Sequence, residues 1–144
     1  MTIEVKAAKE ATEQLVSAFA RLIPQLSRTA APPDRAVLAQ IIAAPCNIVL
    51  LAFDAGEIVG TLTLVVFRIP TAMRAWIEDV VVDSQARGRG VGEALTQEAL
   101  RIARERGAKT VDLTSRRSRQ AAHRLYEKSG FKVRDTTVYR YSVD

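Results

Sequence analysis

Residues 2–7 alternate mildly between apolar and polar positions and predict a short first strand, after which Leu15, Phe19, Leu22, Ile23 and Leu26 recur at helical spacing. That spacing predicts an amphipathic helix interrupted near Pro24, since proline offers no N–H to the preceding turn. Pro32 and Pro33 break the chain, Asp34 is placed to cap a second helix through Leu38 and Ile41 to Ala44, and Pro45 ends it. The period then shortens. Residues 48–53 and 58–67, rich in Val, Leu and Thr, flank Asp54-Ala55-Gly56 and predict an antiparallel hairpin. Residues 68–74, with Pro70, are expected to form a loop, residues 76–82 a strand, and residues 83–90 a polar turn bearing glycines.

Val91, Leu95, Ala99 and Ile102 mark one face of a helix over residues 91–106, with Gly107 at its C-terminal end. Residues 110–114 are expected to form a strand, Ser118 to cap a helix carrying Ala122, Leu125 and Tyr126, and Gly130 to end it. Residues 131–133 and 137–143 are expected to close the chain as two strands. The order β-α-α-β-β-β-α-β-α-β-β describes a mixed α/β fold, and with 144 residues and no linker or repeat it is expected to be a single domain over residues 1–144.

Composition supports a folded chain: 48% of residues are apolar and 26% charged. The net charge of +5 is concentrated in Arg87, Arg89, Arg101, Arg104, Arg106, Lys109, Arg116, Arg117, Arg119, Arg124 and Lys128, which implies an anionic partner. Cys46 is the single cysteine and His123 the single histidine, so no intramolecular disulfide and no closed zinc site is expected, and no metal. Glu4, Lys6, Lys9, Glu10 and Glu13 interrupt the first residues as a signal peptide would not tolerate, and no apolar run reaches the roughly 20 residues of a membrane span. A cytoplasmic protein with no membrane partner is the expectation.

The chemistry concentrates in Trp76-Ile77-Glu78-Asp79-Val80-Val81-Val82-Asp83 and the Arg87-Gly88-Arg89-Gly90-Val91-Gly92 that follows. A strand leading through glycines into a helix start exposes backbone N–H groups with no carbonyl partner, at the positive end of the helix dipole, and so makes a phosphate cradle. The dinucleotide fingerprint G-x-G-x-x-G fails at Glu93, and no G-K-[ST] follows. The pattern [R/Q]-x-x-G-x-[G/A] fits, as Arg87-x-x-Gly90-x-Gly92.

In these residues the sequence resembles the GCN5-related N-acetyltransferases, and Ala122-His123-Arg124-Leu125-Tyr126-Glu127-Lys128-Ser129-Gly130-Phe131 is similar to that family's A-x-x-L-Y-x-K-x-G-F segment. Locally, residues 76–83 also resemble the glucosamine-phosphate acetyltransferases. The resemblance implies that fold, with splayed central strands, and acetyl-coenzyme A as cosubstrate. It places Arg87, Gly88, Arg89, Gly90, Val91 and Gly92 at the pyrophosphate. The backbones of Val80, Val81 and Val82 would lie along the pantetheine arm and thioester. Arg119 stands where the family often has Asn, and a guanidinium there would meet phosphates.

Acetyl transfer to an amine needs a base for the ammonium proton and an acid for the leaving thiolate. Glu78 is the candidate base and Asp79 the second, pointing to the opposite face of a regular strand unless a bulge intervenes. Ion pairing with nearby arginines is the structural alternative for both. By resemblance, Tyr126 protonates the thiolate; His123 and Trp76 are expected to be a surface and a packing residue. The expected acceptor is a primary amine of a small molecule attacking directly in a ternary complex, with a protein lysine or N-terminus as the alternative. Homodimerisation is common in the resembling family. A non-catalytic acetyl-coenzyme A sensor is opposed by Glu78 and Tyr126, and a nucleic-acid module by the lack of aromatic residues between Asp83 and Arg124.

Overall fold

Residues 47–69, dense in Val, Leu and Ile, build the centre of the sheet in this computed structural model, which describes residues 2–144. The chain divides into a unit ending at Thr114 and a second over Ser115–Asp144.

The first unit holds a five-stranded mixed sheet in chain order: β1 (Ile3–Ala7), β2 (Asn47–Asp54), β3 (Glu57–Ile69), β4 (Ala72–Val82) and β5 (Thr110–Asp112). Pairings β1–β2, β2–β3 and β3–β4 are antiparallel, and β4–β5 is parallel. Helices α1 (Glu13–Leu26), α2 (Arg35–Ala43) and α3 (Val91–Glu105) cover the sheet, α3 serving as the crossover between the parallel strands. Leu15, Phe19, Leu22 and Ile23 of α1 and Leu38 of α2 form one core with Val49, Leu51, Ile58 and Val81. The other face receives α3. A Cβ on Gly60 of β3 would stand 2.9 Å from Val91 Cγ1 and 3.2 Å from the Val81 carbonyl oxygen, so α3 sits as low on the sheet as only glycine permits. Gly60→Ala is therefore expected to destabilise the fold by about 1–3 kcal/mol in denaturant unfolding, and retention of full stability would show that the first turn of α3 can lift.

Several boundaries differ from expectation. The α1 helix runs past Pro24 to Leu26, because a proline so near the C-terminus removes only one intrahelical bond, and Ser27 N still reaches the Ile23 carbonyl at 2.9 Å. The expected loop at 68–74 is a tight hairpin instead, with Ile69 paired to Ala72 across Pro70-Thr71. Proline's fixed φ suits the first corner of such a turn.

The second unit holds α4 (Gln120–Lys128). Ser118 does not cap it: Arg119 N bonds to the Arg116 carbonyl, and this turn delays the helix until after Arg119, which offers no side-chain cap. Gly130, at φ 103°, ends it as expected. The two closing strands expected at 131–133 and 137–143 are not formed, and the sheet contains none of these residues. Alternation of Tyr139, Tyr141 and Val143 with polar residues sets a period of two but supplies no partner backbone, and Lys132, Arg134 and Asp135 interrupt the first stretch. Among the described residues no helix is long and apolar enough to cross a membrane.

Candidate functional site

Strand β4 changes phase in its middle. Glu78 pairs with Thr63 and Val81 with Thr61, so Asp79 and Val80 together face Leu62, and Asp79 adopts φ 49°. One extra residue on one strand of an antiparallel pair is a β-bulge, and short polar Asp tolerates the left-handed conformation it imposes. Upstream, Ala75 and Ile77 are buried on the face opposite Thr63; downstream, Val81 is 4% exposed in the core beside α1. Without the bulge these odd-numbered residues would all share one face. The bulge also changes the expected relation of Glu78 and Asp79, both of which are exposed. Neither forms an ion pair among the described residues, so the arginine pairing considered for them is not made.

On its other edge β4 is paired to β5 only from Arg74 to Trp76. From Ile77 to Val82 it has a ladder partner on the β3 side alone. Val80 and Val82 are half-buried there, whereas Val81 spends its side chain on the core.

Beyond Val82 the chain is held by α1. Arg21 Nε donates to Asp83 Oδ2 at 3.0 Å while its Nη2 donates to the Ile58 carbonyl at 2.6 Å, and Ser84 N donates to Gln25 Oε1 at 2.8 Å. Asp83 Oδ1 accepts from Gln85 N at 3.2 Å and caps a single 3-10 turn, Ser84–Ala86. That backbone hydrogen bond, with the Arg21 guanidinium behind it, holds the Asp83 carboxyl below the usual carboxylate range. A carboxylate whose folded pKa is depressed stabilises the fold above its unfolded pKa and loses that contribution as pH falls through the folded value. Asp83→Asn is accordingly expected to cost about 1–2 kcal/mol at pH 7, with the gap to the parent protein closing in acid, measured by urea unfolding from pH 7 to pH 3. A gap constant with pH would show that the charge is not involved. A polar turn from Asp83 was expected from sequence, but not its capping by the Asp83 side chain; Arg21 and Gln25 carried no signal, being two polar residues on a helix flank.

The turn itself is Arg87-Gly88-Arg89-Gly90, with Gly88 at φ 78° and Gly90 at φ 82°. Gly90 is the N-cap of α3 and no side chain caps the helix, so the start of α3 presents backbone amides to an outside acceptor. A Cβ on either glycine would meet nothing within 4 Å, which leaves the approach to those amides open. Val91 is buried, Gly92 partly so, and the Gly92 carbonyl accepts from the buried Thr96 hydroxyl at 2.8 Å. Arg87 is exposed, while Arg89 lies 3.6 Å from Asp54 Oδ2 at the end of β2. Arg101, one of the basic cluster, is engaged by Glu98 and Glu105 on its own helix at 2.8 and 2.7 Å. These residues fit a pyrophosphate: free helix-start donors, glycines that let it approach, and positive charge beside them.

In the second unit, burial pushes the Tyr126 phenol above its ordinary pKa, partly offset by the nearby Arg119 charge, so Tyr126 keeps its proton at neutral pH. Its ring meets Phe131 edge-on with centroids 5.6 Å apart. His123 Nε2 is 2.8 Å from the Arg116 carbonyl, which occupies the imidazole within the turn before α4.

A mixed sheet whose parallel pair stops short of a bulge, leading into an uncapped glycine-led helix, defines the class as an α/β domain with an open helix start after its bulged strand. Residues 13–131 match the Acetyltransferase (GNAT) family, and the chain belongs to that family. It is 36% identical over 83 residues to glucosamine 6-phosphate N-acetyltransferase of Trypanosoma brucei brucei, covering 56% of this chain and 54% of that protein. It is 33% identical over 91 residues to N-alpha-acetyltransferase MAK3 of Arabidopsis thaliana, covering 63% of this chain and 47% of that one. A solved Trypanosoma brucei acetyltransferase superposes with a TM-score of 0.81 at 27% identity, over 99% of this chain and 100% of that one. The chain spans between 22% and 54% of the length of the curated relatives it matches.

Proposed function

We propose that this chain moves the acetyl group of acetyl-coenzyme A onto a primary amine of a small molecule, by direct attack in a ternary complex. The observation that carries this is the continuity of a bulged, half-unpaired β4 with the uncapped, glycine-led start of α3. Acetyl-coenzyme A supplies the activated thioester.

The amides at the start of α3, from Gly90 through Gly92, and the turn residues Gly88 and Arg87 hold the pyrophosphate, and Arg89 contributes charge beside it. Backbone groups of Val80 and Val82, on the edge that β5 leaves unpaired, receive the pantetheine arm and the thioester oxygen. Glu78, exposed and without an ion pair, takes the proton from the ammonium directly or through one water. Tyr126, still protonated at neutral pH, returns a proton to the sulfur; its part rests on the motif resemblance together with its raised pKa. The ammonium gives up two protons on becoming an amide: one goes to Glu78 and on to solvent, the other leaves after attack and balances the proton that Tyr126 gives the sulfur, and no covalent enzyme intermediate is needed.

A protein N-terminus is the second acceptor class, favoured by the likeness to N-alpha-acetyltransferase MAK3. Titration calorimetry with acetyl-coenzyme A and free coenzyme A, followed by thiol release against amino sugars, amino acids, polyamines and N-terminal peptides, tests both. Binding with turnover of one small-amine class supports the proposal, turnover of peptides alone moves it to proteins, and no binding to folded protein overturns it.

A further inference from the structure

The register Thr63↔Glu78, Val65↔Trp76 and Phe67↔Arg74 is unbroken, so Arg74, Trp76 and Glu78 form one row on one face of β4, upstream of the bulge. Thr63 also pairs with Val49, a member of the α1–α2 core, which fixes the face. Same-face neighbours on a strand lie about 6.6 Å apart, so the backbone positions of Arg74 and Glu78 are separated by about 13 Å. The row reads cation, aromatic, anion.

Arg74 Nε is buried without a hydrogen-bond acceptor, and among the described residues it is the one buried side-chain donor or acceptor left so. A guanidinium cannot escape by losing its proton, and a buried donor without an acceptor is uncommon in folded proteins. The acids nearest along the sheet do not serve it: Asp112 pairs across from Trp76, Glu78 stands four residues away, and neither forms an ion pair with Arg74. Nε and one terminal nitrogen of arginine make the two-donor edge that matches a carboxylate or a phosphate.

We propose that Arg74 makes the acceptor site selective for amines carrying a carboxylate or phosphate several bonds from the nitrogen. The inference rests on the acetyl transfer proposed above, with the amine directed to Glu78 and the anion to Arg74. The spacing disfavours α-amino acids, whose two charges are too close to bridge the row, and the Arg74 charge disfavours polyamines.

The test compares matched acceptors, glucosamine 6-phosphate against glucosamine and 6-aminohexanoate against hexylamine, in the parent protein, Arg74→Gln and Arg74→Lys. The parent is expected to prefer the anionic member of at least one pair by about 10–100-fold in kcat/KM, and the pair that shows it identifies the anion. Arg74→Gln should collapse that ratio towards one, with Arg74→Lys, which keeps the charge but loses the fork, in between. No preference in the parent, or a preference that survives Arg74→Gln, overturns the inference. If Arg74→Gln does not fold, the parent ratios and Arg74→Lys decide. Thermal shifts with glucosamine 6-phosphate and with 6-aminohexanoate, each without cosubstrate, separate the anion site from the transfer reaction. Arg74-dependent stabilisation in a protein that fails to bind acetyl-coenzyme A would sink the transfer reaction and keep the anion site; acetyl-coenzyme A binding without any such stabilisation would do the reverse.

Discussion

Glu78→Gln is expected to lower kcat by about 10²–10⁴ at neutral pH while leaving acetyl-coenzyme A affinity within about twofold, because it removes a proton acceptor and nothing that touches the cosubstrate. The side chain is exposed and makes no ion pair, so the amide should change stability by no more than about 0.5 kcal/mol. The deficit should shrink as pH rises towards the acceptor's own pKa, since more amine then arrives already deprotonated. A pH–rate profile for the variant, set beside Asp79→Asn, checks this. Asp79→Asn is a clean comparison because Asn accepts the φ of 49° as readily as Asp does. Full activity in Glu78→Gln with loss in Asp79→Asn would transfer the role to the bulge residue.

Gly90→Asp is expected to weaken acetyl-coenzyme A binding at least about 100-fold. There is room for the side chain, since nothing lies within 4 Å of a Cβ there, and Asp is among the residues least strained at φ 82°. Its charge suits the positive end of the α3 dipole, although the left-handed backbone there is not the extended one from which Asp caps a helix. The fold should therefore lose about 1–2 kcal/mol to the left-handed strain, while the new carboxylate stands at the start of α3 and repels the pyrophosphate. Calorimetry and thermal unfolding on the same sample separate the two effects, and undiminished binding would remove the turn from the site.

Most of the fold was legible because its signals are local. Apolar spacing marked α1 and α3, Asp34 capped α2, and Gly107 and Gly130 ended their helices. The glycine turn before α3 was legible for the same reason: its geometry depends on glycines that the sequence displays. What was hidden depends on partners. The β4 bulge leaves no mark in Glu78-Asp79-Val80-Val81, where charged and branched residues suit a plain strand equally well, and it emerges only from the register against β3. The missing closing strands show the converse, an alternation in residues 137–143 that no neighbouring backbone completes. Arg21 and Arg74 were invisible because what matters about them, an Asp83 lying 62 residues away in sequence and a buried Nε without an acceptor, arises only on folding.

The phase change in β4 has an evolutionary corollary. Because the bulge resets which face each residue occupies, the segment proposed to meet the acceptor and the segment that feeds the glycine turn are two modules joined at Asp79 and Val80. Substitutions at 74 and 76 can explore new amines, with Glu78 kept as the base, without disturbing Val81 in the core or the helix start behind it. A lineage could thus diversify what it acetylates while the nucleotide end stays fixed, one strand carrying a variable half and an invariant half.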